Sequence, residues 1–155
     1  MVEQAAGVVL CSFVLLGVLQ VAQVYKTRLP DGMASCTDGV DVWIDDRLNE
    51  VQEKCAIAHE EVHVERGHTS RQSEAVELSV RYETAHRLLP DIQGCTGTTL
   101  AAAARNLGVT RQVLMDRAAT FTDAQAESAG CMDCLLCPVI QARYARHPST
   151  HRIAA

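Results

Sequence analysis

The stretch Ala58-His59-Glu60-Glu61-Val62-His63 decides how the rest of this chain is read. It has the form H-E-x-x-H. On an α-helix each residue advances about 100° and about 1.5 Å, so His59 and His63 stand one turn apart on nearly the same face. Two imidazoles so placed can grip one metal ion, zinc above all. Glu60 lies about 60° around the axis from His63, close enough to take a proton from water at the metal. Glu61 lies about 160° away and points elsewhere. An ordinary amphipathic helix with two incidental histidines would carry the same letters, so the flanking sequence has to choose.

Leu48, Val51, Cys55, Ala58 and Val62 repeat at alternating intervals of three and four, an apolar stripe that a helix must bury. Both histidines sit on its flank. Asp45 or Asp46 offers a cap for the start, and Gly67 offers a left-handed residue for the end. The motif then lies inside a helix of about five turns.

A second helix is expected from the turn at His68 to Ser70, with Thr69 as cap, to about Leu89, where Pro90 stops it. Ala75, Leu78, Tyr82, Ala85 and Leu89 form one apolar stripe, and Val76, Val80, Thr84 and Leu88 another. Ser79, Glu83 and His86 make the wet arc. Glu74, Glu77 and Arg81 fall in or beside the apolar arcs, where an ionised group needs a partner or a metal. Glu74 or Glu77 is therefore the better third ligand and Glu83 the worse, with a Glu77–Arg81 ion pair at i and i+4 as the bland alternative. His68 follows His63 by five residues. A third ligand in a site of the H-E-x-x-H-x-x-G-x-x-H type follows by six, so His68 reads as a turn or rim residue with a secondary place near a substrate.

The 155 residues suffice for one domain with a core, or a small domain with appendages. A net charge of −5 gives no general attraction to phosphate or acidic membranes. The seven cysteines are an odd number, and Met1-Val2-Glu3-Gln4 lacks the basic start of a secretory signal. A reducing cytoplasm, with thiols free or on metal, is the expected compartment. Residues 5–22, AAGVVLCSFVLLGVLQVA, carry no charge and reach the lower length limit for a membrane span. Gly7, Gly17, Gln20 and the acidic flank favour a buried N-terminal helix over a membrane anchor. After turns at Pro30-Asp31-Gly32 and Asp38-Gly39, Val40, Val42 and Ile44 alternate with Asp41, Trp43 and Asp45 as a half-buried strand. Such a strand can offer a free edge to an extended substrate or be purely structural.

Further on, residues 98–130 suggest two short helices joined by Gly108, with Thr110 capping the second, in the manner of a helix-turn-helix. Only Arg105, Arg111 and Arg117 supply positive charge there, so DNA binding is not the favoured use. In the tail, residues 131–155, Cys131, Cys134 and Cys137 can hold a second zinc with a fourth ligand from Cys95, His147 or His151, or stay reduced.

The run CAIAHEEVHVERGH (55–68), followed by ELSV (77–80) and AHRLLP (85–90), resembles the ImmA/IrrE family of metallo-endopeptidases, especially short forms from actinobacterial phages and mobile elements. The resemblance covers about residues 25–120. It implies a glutamate-zincin in which a glutamate thirteen residues before the proline completes the site, and that residue is Glu77. The implied set is then Zn²⁺ on His59, His63 and Glu77, with Glu60 as general base and Arg81 beside the ligands. Tyr82, His68 and His86 are each candidates, from the residues alone, to stabilise the oxyanion near the substrate. The implied substrate is a helix-turn-helix repressor. Arg81 departs from the family's usual Asp, an orienting partner for a metal histidine, and Glu61 from a common apolar residue. The fold expected is α+β and mostly helical. A zincin-like core over 23–92 carries a short antiparallel sheet packed on the H-E-x-x-H helix, and a helical part follows. A non-catalytic regulator with a structural zinc, or a membrane-anchored protease, is the alternative.

Overall fold

Val42 and Ile44 point to one side of an extended segment and Trp43 to the other, because side chains alternate along a strand. In the structure, a computed structural model that describes residue 21 and residues 23–91 and 99–121, that segment is the middle of a three-stranded sheet. Val24–Thr27 (β1) runs parallel to Val42–Asp45 (β3), and Ser35–Thr37 (β2) runs antiparallel to β3 on its other side, giving the order β1-β3-β2. Val42 and Ile44 are fully buried with Ala56, and Val24, Leu48 and Ile57 pack around them. On the opposite face Tyr25 stacks on Trp43, the residue opposite it in register.

Three expectations change here. The sheet is mixed, since β1 pairs with β3 in parallel while β2, which comes between them in sequence, lies antiparallel on the far side of β3. As the middle strand, β3 has both edges hydrogen-bonded and cannot offer one to a substrate; among the described residues the outer strands are β1 and β2. Val40, expected within the strand, stands 53% exposed in the turn before it. There the Asp38 carboxylate accepts from the N–H groups of Val40 and Asp41, which turns the chain before β3 begins.

The H-E-x-x-H helix, α1, spans Glu50–Glu65. Its cap is neither Asp45 nor Asp46. Asn49 Oδ1 accepts from the N–H of Gln52 at 3.0 Å, and Gln52 Oε1 accepts from the N–H of Asn49 at 3.0 Å, a reciprocal capping box. Asp45 is otherwise engaged. Only 2% exposed, it accepts from Arg47 Nε and Nη2, each at 2.7 Å, and from the backbone N–H groups of Arg47 and Leu29. The Arg47 guanidinium holds this carboxyl far below the usual carboxylate range.

Helix α2 spans Glu74–Leu88, starting several residues later than the Thr69 cap predicts. Ser73 opens it instead, its carbonyl accepting from the N–H of Glu77. Two helices follow: α3, Leu100–Asn106, capped by Thr99, and α4, Arg111–Ala119, capped by Thr110 as expected, with Gly108 at φ +64° between them. About half of the described residues are helical, so the α+β class holds.

The chain divides into two compact units, Met1–Val80 and Arg81–Ala155, with the division inside α2. In the second unit Ala85, Leu89, Ala103, Val113, Leu114 and Ala118 are buried. Arg117 joins them at 1% exposure, donating to the carbonyls of Leu89 at 2.7 Å and Pro90 at 3.0 Å. Of the three arginines counted as possible phosphate contacts, this one faces the interior. The apolar run 5–22, apart from Val21, and the cysteine tail lie outside the described residues. Among those described, no helix is long and apolar enough to cross a membrane.

The register makes a sharp contrast. Ile44→Ala should lower the unfolding free energy by about 2–5 kcal/mol, whereas Val40→Ala should change it by less than about 0.5 kcal/mol. Urea titration followed by circular dichroism checks both, and equal effects would extend the buried strand back to Val40.

Candidate metal centre

Helix α1 is buried along a broad face: Cys55, Ala56, Ala58, Val62 and Val64, with Glu60 and His63 among them. Two ionisable side chains on the apolar face of a helix are costly unless something engages them. His59, one turn before His63, lies half-buried at the margin of that face. Val51, counted in the apolar stripe, is exposed on the first turn, so the buried face belongs to the later turns, where the motif lies.

Across from the two histidines comes the start of α2. Glu77 Oε2 lies 3.5 Å from His59 Nε2 and 3.3 Å from His63 Nε2, and the two Nε2 atoms are 3.1 Å apart. Glu74, the other acid left open by the helical-face argument, is exposed. The Glu77–Arg81 pair does not form; Arg81 turns away, its Nε and Nη2 donating to Asp116 at 3.0 and 2.7 Å. Arg81 and Tyr82 both belong to the second unit.

His59, His63 and Glu77 thus form a group able to hold a metal ion. For a tetrahedral ion with bonds of about 2.0–2.1 Å, neighbouring donors lie about 3.3–3.4 Å apart, and the three separations here bracket that value. Two imidazoles and a carboxylate are also the donor chemistry of first-row divalent metals. With both rings protonated on Nδ1, the three atoms each present a lone pair and repel one another unless a cation lies among them; with a proton on either Nε2, that ring donates to its neighbour instead. A second proton on His63 is poorly suited to supply that positive charge. Burial pushes its imidazolium pKa down more than the Glu77 carboxylate raises it, with His68 also lowering it.

Glu60 is 6% exposed, and its Oε1 accepts from Ser35 Oγ on β2 at 2.6 Å. Burial pushes its carboxyl pKa up, the Ser35 hydrogen bond pulls it down, and the charge of Glu77 pushes it up again. Ser35 was not legible as a site residue from sequence, since nothing local ties it to position 60.

His68 is at neither a ligand position nor a loose rim. Helix α1 ends in a Schellman motif: Gly67 takes φ +68°, its N–H donates to the Val64 carbonyl at 2.9 Å, and the His68 N–H donates to the His63 carbonyl at 2.9 Å. The two imidazoles meet as well, Nδ1 to Nδ1 at 2.9 Å. The possible second site at Cys131, Cys134 and Cys137 lies outside the described residues. Cys36 and Cys55, which are described, carry free thiols.

Comparison with models of protein families, with curated proteins and with solved structures gives no match.

Two outcomes follow from this geometry. Equilibrium dialysis should find one divalent ion bound at this centre; His59→Ala, His63→Ala and Glu77→Ala should each abolish stoichiometric binding there, and Glu74→Ala should not. Glu60→Gln should raise the thermal midpoint of the metal-free protein at neutral pH. Because the folded pKa of Glu60 exceeds its unfolded value, ionisation destabilises the native state as pH rises through it. The advantage of the amide should therefore shrink as pH falls toward the unfolded carboxylate pKa of about 4.3, which melting curves across that range will show.

Proposed function

We propose that this protein is a zinc-dependent endopeptidase. The observation that carries the reading is the convergence of His59, His63 and Glu77, with the buried carboxylate of Glu60 next in sequence to the first of them. The resemblance of residues 55–90 to the ImmA/IrrE peptidases supports the same assignment and suggests a repressor protein as substrate, cleaved in the cytoplasm. Zinc is the ion proposed because two histidines and one carboxylate, with a position left open, form the ligand set of catalytic zinc in hydrolases.

A zinc ion held by His59, His63 and Glu77 would supply Lewis acidity toward a substrate carbonyl and a water molecule. Glu60 does the proton work. It accepts a proton from the attacking water and passes it to the leaving amine as the peptide C–N bond breaks. Its burial matters for that role, because a carboxylate whose pKa is pushed toward neutrality is a stronger base than a solvated one. Ser35 Oγ fixes one of its oxygens, leaving the other for the proton. β2, which carries Ser35, is an outer strand, so an extended peptide can pair along it; β3, enclosed on both sides, has no such capacity.

Glu60→Gln should retain zinc while kcat falls about 10²–10⁴-fold, the usual contribution of a general base. Full activity in that variant, against a repressor-type substrate, overturns the mechanism. The pH profile tests the proton acceptor separately. Activity requires ionised Glu60, so it is lost as pH falls through the Glu60 pKa. The Ser35 hydrogen bond lowers that pKa, so Ser35→Ala should move the acid limb of kcat/KM to higher pH; a limb that stays put assigns the ionisation to another group.

A further inference from the structure

We infer that His68 is the positioning residue for the metal ligand His63, set in place by the Schellman turn at Gly67. The inference rests on the metal centre and not on proteolysis.

A neutral imidazole carries one proton. When His63 Nε2 offers its lone pair to a metal beside His59 Nε2 and Glu77 Oε2, that proton resides on Nδ1. Nδ1 of His63 faces Nδ1 of His68 at 2.9 Å, so the His63 N–H donates and His68 accepts. Metal-bound histidines commonly give this second N–H to a carboxylate or a backbone carbonyl, which fixes the tautomer and the ring plane. Here an imidazole takes that place.

The backbone explains why it can. In a Schellman motif the residue after the left-handed one hydrogen-bonds to a carbonyl five residues back. With Gly67 as the left-handed residue, the residue is His68 and the carbonyl is that of His63. One turn of chain thus joins the two histidines twice, through the backbone and through the rings. A further contact seats the loop. Gly39, in the β2–β3 turn, lies so close to Thr69 that an added Cβ would sit 2.8 Å from Thr69 Cγ2 and 3.4 Å from the His68 carbonyl oxygen. Gly67, by contrast, has nothing within 4 Å of an added Cβ, so a substitution there acts through the backbone conformation alone.

The test is zinc affinity, measured by competition with a chromophoric chelator on the full chain. His68→Ala should bind zinc about 10–100-fold more weakly. His68→Gln, whose amide oxygen can accept the same N–H, should recover most of that loss. Gly67→Ala should weaken binding with His68 intact, because a Cβ disfavours the left-handed conformation. In the wild-type zinc form, a 15N–15N coupling across the hydrogen bond should link His63 Nδ1 to His68 Nδ1, a readout independent of any variant's folding. Unchanged affinity in a folded His68→Ala protein, or absence of that coupling, overturns the inference. A wild-type chain that binds no zinc overturns the metal centre itself, which is a different result.

Discussion

The close approach of three side-chain atoms holds the key to the first unit. The Nε2 atoms of His59 and His63 and Oε2 of Glu77 lie 3.1–3.5 Å apart, each presenting a lone pair when both imidazoles carry their proton on Nδ1. Such an arrangement persists only if a cation compensates it or the surrounding packing enforces it. The packing is visible around α1. Burial disfavours the protonated form of His63, and the helix carrying it is braced from several directions. The capping box at Asn49 fixes its start, the buried pair Val42 and Ile44 supports its apolar face, and the Schellman turn at Gly67 fixes its end.

The bracing extends to residues with no chemical part to play. Asp45 ends β3 and ties the chain to Leu29 and Arg47 just before α1 begins. Charge-assisted, two-pronged bonds of this kind are geometrically strict, so the clamp defines the direction in which the chain enters the helix. Arg66, at the helix end, donates to Ser79 Oγ on α2. The opening turns of α2, which deliver Glu77, therefore meet the helix bearing the histidines at Ser79 and at Glu77.

Local spacing carried much of this into the sequence, and longer-range pairing did not. The i, i+4 placement of His59 and His63 depends only on helical geometry and was legible at once. Glu74 and Glu77 are three apart, hence on nearly one face, and no periodicity can separate them; only the approach of α2 to α1 leaves Glu74 in solvent. The sheet was half legible. Alternation revealed that Val42 and Ile44 are buried, but the parallel pairing with β1 depends on residues eighteen positions away in register and leaves no local signature. The cap was missed because Asp45, Asp46 and Asn49 are all capping residue types, and the Arg47 clamp withdraws the first of them. His68 was judged by ligand spacing, for which it stands one residue short, while five residues is the span of the Schellman hydrogen bond.

Arg81 places a cation beside the metal centre's helix without leaving its charge unpaired. The resemblance puts an aspartate there as an outer partner for a metal histidine, and an arginine cannot accept a hydrogen bond at all. Its guanidinium is instead matched by the carboxylate of Asp116, a nearly buried residue of α4 that Gln112 also contacts. A buried carboxylate without that partner would carry a large desolvation cost, so the residues at 81 and 116 are coupled and neither is expected to change alone. The second nitrogen of His63, without an aspartate at 81, still needs an acceptor when Nε2 is on a metal. The nearest described group able to serve is the His68 ring, brought there by the termination of the same helix. Orientation of the ligand thereby becomes a property of α1 and the turn that ends it, carried by the six residues from His63 to His68.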